Sequence, residues 1–286
     1  MEKSSLPSFL GVGAQRAGTT WLYECLRSHP EIFVPEIKEL GFFSEISRVR
    51  KNKDISWYLE QFSGACDFKA AGEITPEYLL DEQSPKKIYE CLGNIKIIVL
   101  IRNPIKRAYS SYGKGIREGD LNISFKEFIY KNVDYCVDRG FYYKQISRYL
   151  NIFSKENVLI KVYDDLCSDP FMFIKTVYKF LDVNQEFQPG VINKKFNIGV
   201  PKKTLLSRVI LTIRNILYGF PFGNEIVNNI QRTSFGNKLI NLLFNKKKSS
   251  KNKKIENYLR TIYFDDVKKL SNFLNRDLMQ EWRFDE

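Results

Sequence analysis

The sequence predicts an α/β fold: a P-loop-like central parallel sheet flanked by helices, with a basic helical C-terminal region. Three observations carry this expectation. Short, nearly all-apolar runs recur at 8–13, 95–101 and 158–163, rich in the aliphatic and β-branched residues of strands buried on both faces. Helical periodicity follows each run, the alternation of a parallel sheet covered on both sides. The first two strand-to-helix junctions carry the loop chemistry that gathers ligands at the ends of such strands.

In chain order, Ser8-Phe9-Leu10-Gly11-Val12-Gly13 is a strand that stops on glycine. A glycine-containing loop follows, and then Leu22, Cys25 and Leu26 repeat at helical spacing. His29-Pro30 closes that helix, because proline disfavours helical geometry in the residue before it. Residues 95–101, IKIIVLI, form the second buried strand. Arg102-Asn103-Pro104 breaks it: Asn103 has an N-capping side chain and Pro104 the fixed φ of a first helical position, opening a helix through about Gly115. A third strand at 158–163 precedes a helix after Asp169-Pro170, with Phe173, Val177, Phe180 and Leu181 on its apolar face. Residues 203–244 read as amphipathic helix interrupted at 219–223, residues 246–254 as a solvated lysine-rich loop, and Ile255 to about Leu274 as a final helix. We expect one domain over 1–286, with 203–254 a basic, mostly helical insertion within it.

Composition narrows the function. With 43% hydrophobic and 27% charged residues, 16 glycines and 10 prolines, the 286-residue chain is neither disordered nor fibrous. Its five cysteines are scattered and never spaced CxxC, so they read as reduced, mostly buried thiols rather than a zinc site or redox pair. There is no secretory signal pattern and no run of ~18 apolar residues, so we expect a cytoplasmic protein, possible membrane association resting on charge alone. The formal charge of +12 is concentrated in residues 194–254, where 14 Lys and Arg meet one acid, Glu225. Such a run favours an anionic partner: a phosphorylated ligand, an acidic glycan, a membrane surface or, less well matched, nucleic acid.

Gly13-Ala14-Gln15-Arg16-Ala17-Gly18-Thr19-Thr20 lies between strand and helix, where backbone N–H groups and a helix N-terminus converge on an anion. The spacing approaches G-x-x-x-x-G-K-[ST], but Thr19 stands at the lysine position and the cation has moved to Arg16, which disfavours an ordinary NTPase. Arg102 ends the second strand, and Lys106 and Ser110 share a face of the following helix, so an arginine and a hydroxyl converge there for a second phosphate. Neither HExxH, nor clustered His and Cys, nor a clear magnesium partner is present, and we expect no metal.

These motifs carry a resemblance. QRAGTTWL, then HPEIFVPEIKELGFF, then IVLIRNPIKRAYSSY resembles the sulfotransferases that use 3′-phosphoadenosine 5′-phosphosulfate (PAPS), and most closely the heparan-sulfate-type and bacterial carbohydrate branch. The likeness continues through Trp57-Tyr58-Leu59, Gly72-Glu73-Ile74-Thr75-Pro76-Glu77-Tyr78, Val162-Tyr163-Asp164-Asp165-Leu166 and Trp282, leaving out only about 203–254. It implies that Arg16, Ala17, Gly18, Thr19, Thr20 and Trp21 bind the 5′-phosphosulfate, that Arg102 and Ser110 bind the 3′-phosphate, and that Glu39 is the base that deprotonates an acceptor hydroxyl or amine, with a saccharide or glycolipid favoured.

Three departures follow from the same comparison. Arg16 stands where many relatives have lysine; arginine keeps its proton, so Arg16 would stabilise developing charge rather than donate a proton. Ile74 replaces a frequent lysine, leaving that cation missing or supplied by Lys38 or by the basic segment. Pro201-Lys202-Lys203 is the nearest substitute for the late loop that closes over the nucleotide in animal relatives. His29, the only histidine, reads as a helix-end residue, and Trp57, Tyr58 and Tyr78 as sugar-stacking or packing rings. The competing functions are a P-loop small-molecule kinase and a non-catalytic anion- or membrane-binding module.

Overall fold

The computed structural model describes residues 6–47, 53–118, 120–194 and 253–285. The expected insertion at 203–254, apart from Lys253 and Lys254, and the substitute loop at Pro201-Lys202-Lys203 lie outside the described residues. In chain order the elements are β1 (Phe9–Gly13), α1 (Thr19–Arg27), β2 (Ile32–Phe33), α2 (Ile55–Glu60), β3 (Ala70–Ile74), α3 (Glu77–Leu80), α4 (Ser84–Leu92), β4 (Lys96–Ile101) and α5 (Pro104–Glu118). They continue with α6 (Phe125–Tyr130), α7 (Tyr142–Leu150), β5 (Val158–Val162), α8 (Tyr163–Ser168), α9 (Pro170–Leu181), α10 (Lys253–Leu274) and α11 (Leu278–Glu281).

The strands form one parallel sheet in the order β2-β3-β1-β4-β5. The chain leaves β1 for the β2–β3 side and returns across it to β4, so the order reverses between β1 and β4. Ligands of open α/β sheets bind in the crevice beyond such a reversal. All three strands read from apolar runs are present, β1 being buried throughout and β4 beyond Lys96. β5 is an edge strand and only half-buried.

Two strands went unread. β2 has two residues, and β3 is AAGEI, whose alanines and glycine are poor strand formers in isolation. Packing decides β3: a Cβ on Gly72 would fall 2.2 Å from the Phe9 carbonyl oxygen, so glycine is what lets the two central strands pair.

Helix boundaries follow the local chemistry. Asn103 caps α5 through its Oδ1, which accepts from the backbone N–H groups of Ile105 and Lys106, both at 3.0 Å, and α5 runs one turn past Gly115. Asp169 caps α9 with Pro170 at its first position. The final helix starts at Lys253, so two lysines assigned to a solvated loop belong to it; Ile255 and Leu259 bury its first turns. Cys25 and Cys136 are buried, but Cys66, Cys91 and Cys167 are exposed, which corrects the expectation of mostly buried thiols: being small, they occupy outward positions without leaving a hole in the core. Among the described residues no helix is long and apolar enough to cross a membrane.

Candidate active site

The loop after β1 is shaped by two left-handed residues, Arg16 at φ 70° and Gly18 at φ 100°. Gly18 is the N-cap of α1 and provides no side chain to its first turn. A Cβ there would also stand 3.0 Å from the Leu166 side chain and 3.2 Å from the Tyr163 ring, so glycine lets α8 close against the loop. The first N–H groups of α1 have no partner within the helix, the arrangement that binds anions.

Gly18, Thr19, Thr20 and Trp21 line a cavity of about 870 Å³ at the β1–β4 crevice. Arg16, Lys38, Arg102, Lys114 and Lys194 line it too, and among its described lining residues the only carboxylate is Glu39. Arg102 donates from Nη1 to the Arg16 carbonyl oxygen at 3.1 Å, and its guanidinium lies 4.5 Å from the centre of the Tyr163 ring. Arg16 in turn donates from Nε to Ser110 Oγ at 3.1 Å. The two phosphate grips expected from sequence thus adjoin, joined through Arg16.

Of the expected loop residues only Ala17 lies off the wall; it is buried, and its N–H donates to the Ala14 carbonyl at 3.2 Å, closing the loop on itself. Trp21 donates from Nε1 to the Ile192 carbonyl at 2.9 Å and meets Phe173 edge-on, holding the 192–194 stretch against the cavity. Lys106, which shares the helix face of Ser110, lies 3.7 Å from Asp164 instead and is not part of the wall.

Glu39 sits at φ 64° with its side chain 41% exposed and pairs with Lys38. Behind it lies a second carboxylate that sequence reasoning passed over as a catalytic element. Glu73, 1% exposed at the end of β3, accepts from Thr75 Oγ1 at 2.7 Å. Burial pushes its pKa up to about 7; hydrogen bonds from Thr75, Tyr78 and the Leu40 backbone pull the other way, and the charge of Glu39 adds to the rise.

Other expected residues fall into the core. Ile74 is fully buried against Gly11, whose Cβ position lies 2.8 Å from Ile74 Cγ1, so this side chain packs the sheet. Among the described residues, Lys38 and Lys194 are the cations from the two expected sources that reach the cavity. Tyr58 and Tyr78 are fully buried in a ring cluster with Phe42, Phe43 and Phe62, which leaves no face for a sugar; Trp57 is half-buried beneath Lys53. His29 is buried, its Nδ1 accepting from the Glu31 N–H at 3.1 Å and its Nε2 lying 2.9 Å from the Asn184 carbonyl. No group of three or more His, Cys, Asp or Glu that could hold a metal occurs among the described residues.

Sequence reasoning missed Lys114 as a wall residue, although it follows Ser110 by four positions on α5, and Tyr163, whose role as a platform depends on the non-local meeting of α8 with Arg102.

Comparison with known proteins adds an independent finding. The family model described as a sulfotransferase domain matches residues 6–212. The membrane-associated sulfotransferase kil1 of Dictyostelium discoideum is 30% identical over 138 residues, 45% of this chain and 28% of that protein. The bifunctional heparan sulfate N-deacetylase/N-sulfotransferase 4 of Mus musculus is 31% identical over 200 residues, 64% of this chain and 23% of its own. Mouse heparan sulfate glucosamine 3-O-sulfotransferase 5 is 28% identical over 189 residues, 62% of this chain and 54% of its own. This chain therefore spans from about a quarter to about half the length of these relatives. The crystal structure of a sulfotransferase from Alicyclobacillus acidocaldarius shares the fold, with a TM-score of 0.70 at 23% identity over 97% of this chain and 99% of that one.

Proposed function

Because the chain belongs to the sulfotransferase domain family, we propose that it transfers a sulfuryl group from PAPS to a hydroxyl or amine of a carbohydrate or glycolipid. The observation that carries this reading is the single cavity in which five cations and an uncapped helix N-terminus surround one carboxylate. PAPS bears a phosphosulfate at one end and a 3′-phosphate at the other, and the residues suit both. The α1 N-terminus and Arg16 would take the phosphosulfate, and Arg102 and Ser110 the 3′-phosphate.

In the proposed step the acceptor oxygen or nitrogen attacks sulfur in line with the 5′-phosphate oxygen. The new bond to sulfur forms as the sulfur–oxygen bond to the phosphate breaks, and 3′,5′-phosphoadenosine (PAP) leaves. Glu39 takes the acceptor's proton, and Arg16 strengthens its hydrogen bonds as negative charge gathers on the leaving phosphate. Positioning and charge neutralisation supply the rate, as in phosphoryl transfer, and the scheme calls for no metal.

The kinase alternative is disfavoured by Thr19 at the lysine position of the loop. Calorimetric titration with PAP and with ATP separates the two: PAP should bind tightly and ATP weakly, and the reverse order would sink the sulfotransferase reading. The likeness to heparan sulfate enzymes supports an anionic saccharide acceptor, and the basic run 194–254 supports contact with such a glycan or an anionic membrane surface over nucleic acid. Removing residues 246–254 should weaken salt-sensitive acceptor or vesicle binding; identical salt series with and without them would count against that contact. The odd number and scattered spacing of the five cysteines support a reducing, cytoplasm-like compartment, with membrane association through the basic run.

A further inference from the structure

Glu73 is a fully buried ionisable side chain to which the mechanism above gives no task. An apolar residue would fill the same space at lower cost, since burying a carboxyl is unfavourable unless it is bonded. Its hydrogen bond from Thr75 leads to the turn at 39–43. Thr75 Oγ1 donates to Glu73 at 2.7 Å and accepts from the Gly41 backbone N–H at 3.1 Å. Tyr78, buried beside it, accepts from the Phe43 backbone N–H at 3.4 Å. Glu73 is therefore linked through Thr75 to the Gly41 backbone, and Tyr78 anchors the same turn two residues on.

The next stretch is tied down in the same way. Buried Asp81 accepts from Ser44 Oγ at 3.1 Å and from the backbone N–H groups of Glu45 at 2.6 Å and Ile46 at 3.4 Å. Glu39 itself has a left-handed backbone, which a residue other than glycine keeps only where its surroundings hold it there. The supports of that conformation are thus the relays from β3 and α3, and not contacts made by the exposed Glu39 side chain beyond Lys38.

We propose that Glu73 is a positioning residue that acts through Thr75 to hold the 39–43 turn, and thereby sets where the Glu39 carboxylate stands in the cavity. The inference rests on the reading of Glu39 as the base. It predicts a division of labour: the donor is gripped by the β1–α1 loop and the β4–α5 junction, so loosening the turn should slow turnover without loosening the nucleotide.

The test uses Thr75→Val, which keeps the shape but removes the relay, Thr75→Ser, which keeps the hydroxyl, and Glu73→Gln. Thr75→Val and Glu73→Gln should lower kcat about 10- to 100-fold, the scale of a misplaced catalytic group, with the KM for PAPS and the Kd for PAP unchanged. Thr75→Ser should regain most of the turnover. In crystals of Thr75→Val grown with PAP, the Glu39 backbone should leave its left-handed conformation. Unaltered kcat in Thr75→Val, a parallel loss of PAP affinity, or an unmoved turn would each overturn the proposal. Failure of the wild-type chain to bind PAP would instead remove the sulfotransferase reading, and the turn's conformation in Thr75→Val crystals still reports on the relay.

Discussion

The β1–α1 loop and the 39–43 turn meet at one cavity but are held in different ways. The loop closes partly on itself, with Ala17 bonded to Ala14 and Gly18 at the left-handed N-cap of the helix that follows, and β4 and α5 hold it through Leu100, Arg102 and Ser110. The turn has no helix behind it and depends on Glu73, Thr75 and Tyr78, more than thirty residues further along the chain. A local device can be read from a motif; a borrowed one requires the fold. On the proposed reading, the loop presents permanent charges to the donor and the propped turn presents one carboxylate to the acceptor.

The sharpest way to break this comparison is to remove the proposed base, Glu39. Glu39→Gln should lower kcat by about 10²–10⁴, the usual contribution of a positioned general base, while the Kd for PAP stays within experimental error. Steady-state turnover beside calorimetry checks both halves. If PAP affinity fell together with turnover, Glu39 would belong to the donor grip and the two regions would not be distinct.

Arg16 tests the opposite wall. Its removal takes away a hydrogen bond to Ser110, a cation of the cavity and the proposed partner of the leaving phosphate. Arg16→Ala should cost about 10²–10³ in kcat at saturating PAPS, the range seen when a donor to developing charge is deleted. Arg16→Lys should recover part of that loss, since lysine retains the charge but not the geometry that reaches Ser110. Turnover of Arg16→Ala near that of the wild type would refute the electrostatic role.

A third measurement reads the buried support of the turn as stability. The Glu73 carboxyl has an ordinary pKa of 4.5 and is raised to about 7 in the folded chain, first by burial. A raised carboxyl favours the folded state while protonated, so its contribution is full below pH 4.5 and is lost as pH rises through about 7. The shift corresponds to about 3 kcal/mol at roughly 1.4 kcal/mol per unit. The groups facing it are Glu39, Tyr58, Tyr78 and Tyr149, and the three tyrosines have pKa values raised well above 10, so none of the three ionises in this window. Denaturant melts from pH 4.5 to 7.5 should show the wild type losing stability relative to Glu73→Gln, whose amide does not ionise. Parallel curves would mean that Glu73 is not held neutral by its surroundings.

How much of this was legible beforehand follows the same line between local and borrowed. The strands β1, β4 and β5, the cap at Asn103 and the wall residues Arg16, Arg102 and Ser110 each announce themselves in a few adjacent residues. β3 does not, because AAGEI is a strand only once Gly72 lies against Phe9. Ile74 stands where the resemblance implies a lysine, and strand alternation turns it towards Gly11 and into the core, a placement that only the pairing of β3 with β1 makes visible. Tyr58 and Tyr78 resemble sugar platforms as letters, but the aromatic cluster around Phe43 claims both rings. Lys194 reached the cavity through a bond between Trp21 and Ile192 that joins positions 171 residues apart.

Ser110 offers the smallest and most discriminating change. Its Oγ accepts from Arg16 Nε at 3.1 Å, so it touches the proposed 5′ grip while belonging to the proposed 3′ grip. If its main task is the 3′-phosphate, Ser110→Ala removes one hydrogen bond to a charged ligand group and should weaken PAP by about tenfold, within the range for such bonds. Adenosine 5′-phosphate, which has no 3′-phosphate, should then bind wild type and variant alike. If its main task is to hold Arg16, both nucleotides should weaken together and kcat should fall as well. Titrating the two ligands against the two proteins therefore decides whether the adjoining grips work separately or through the Arg16–Ser110 bond as one.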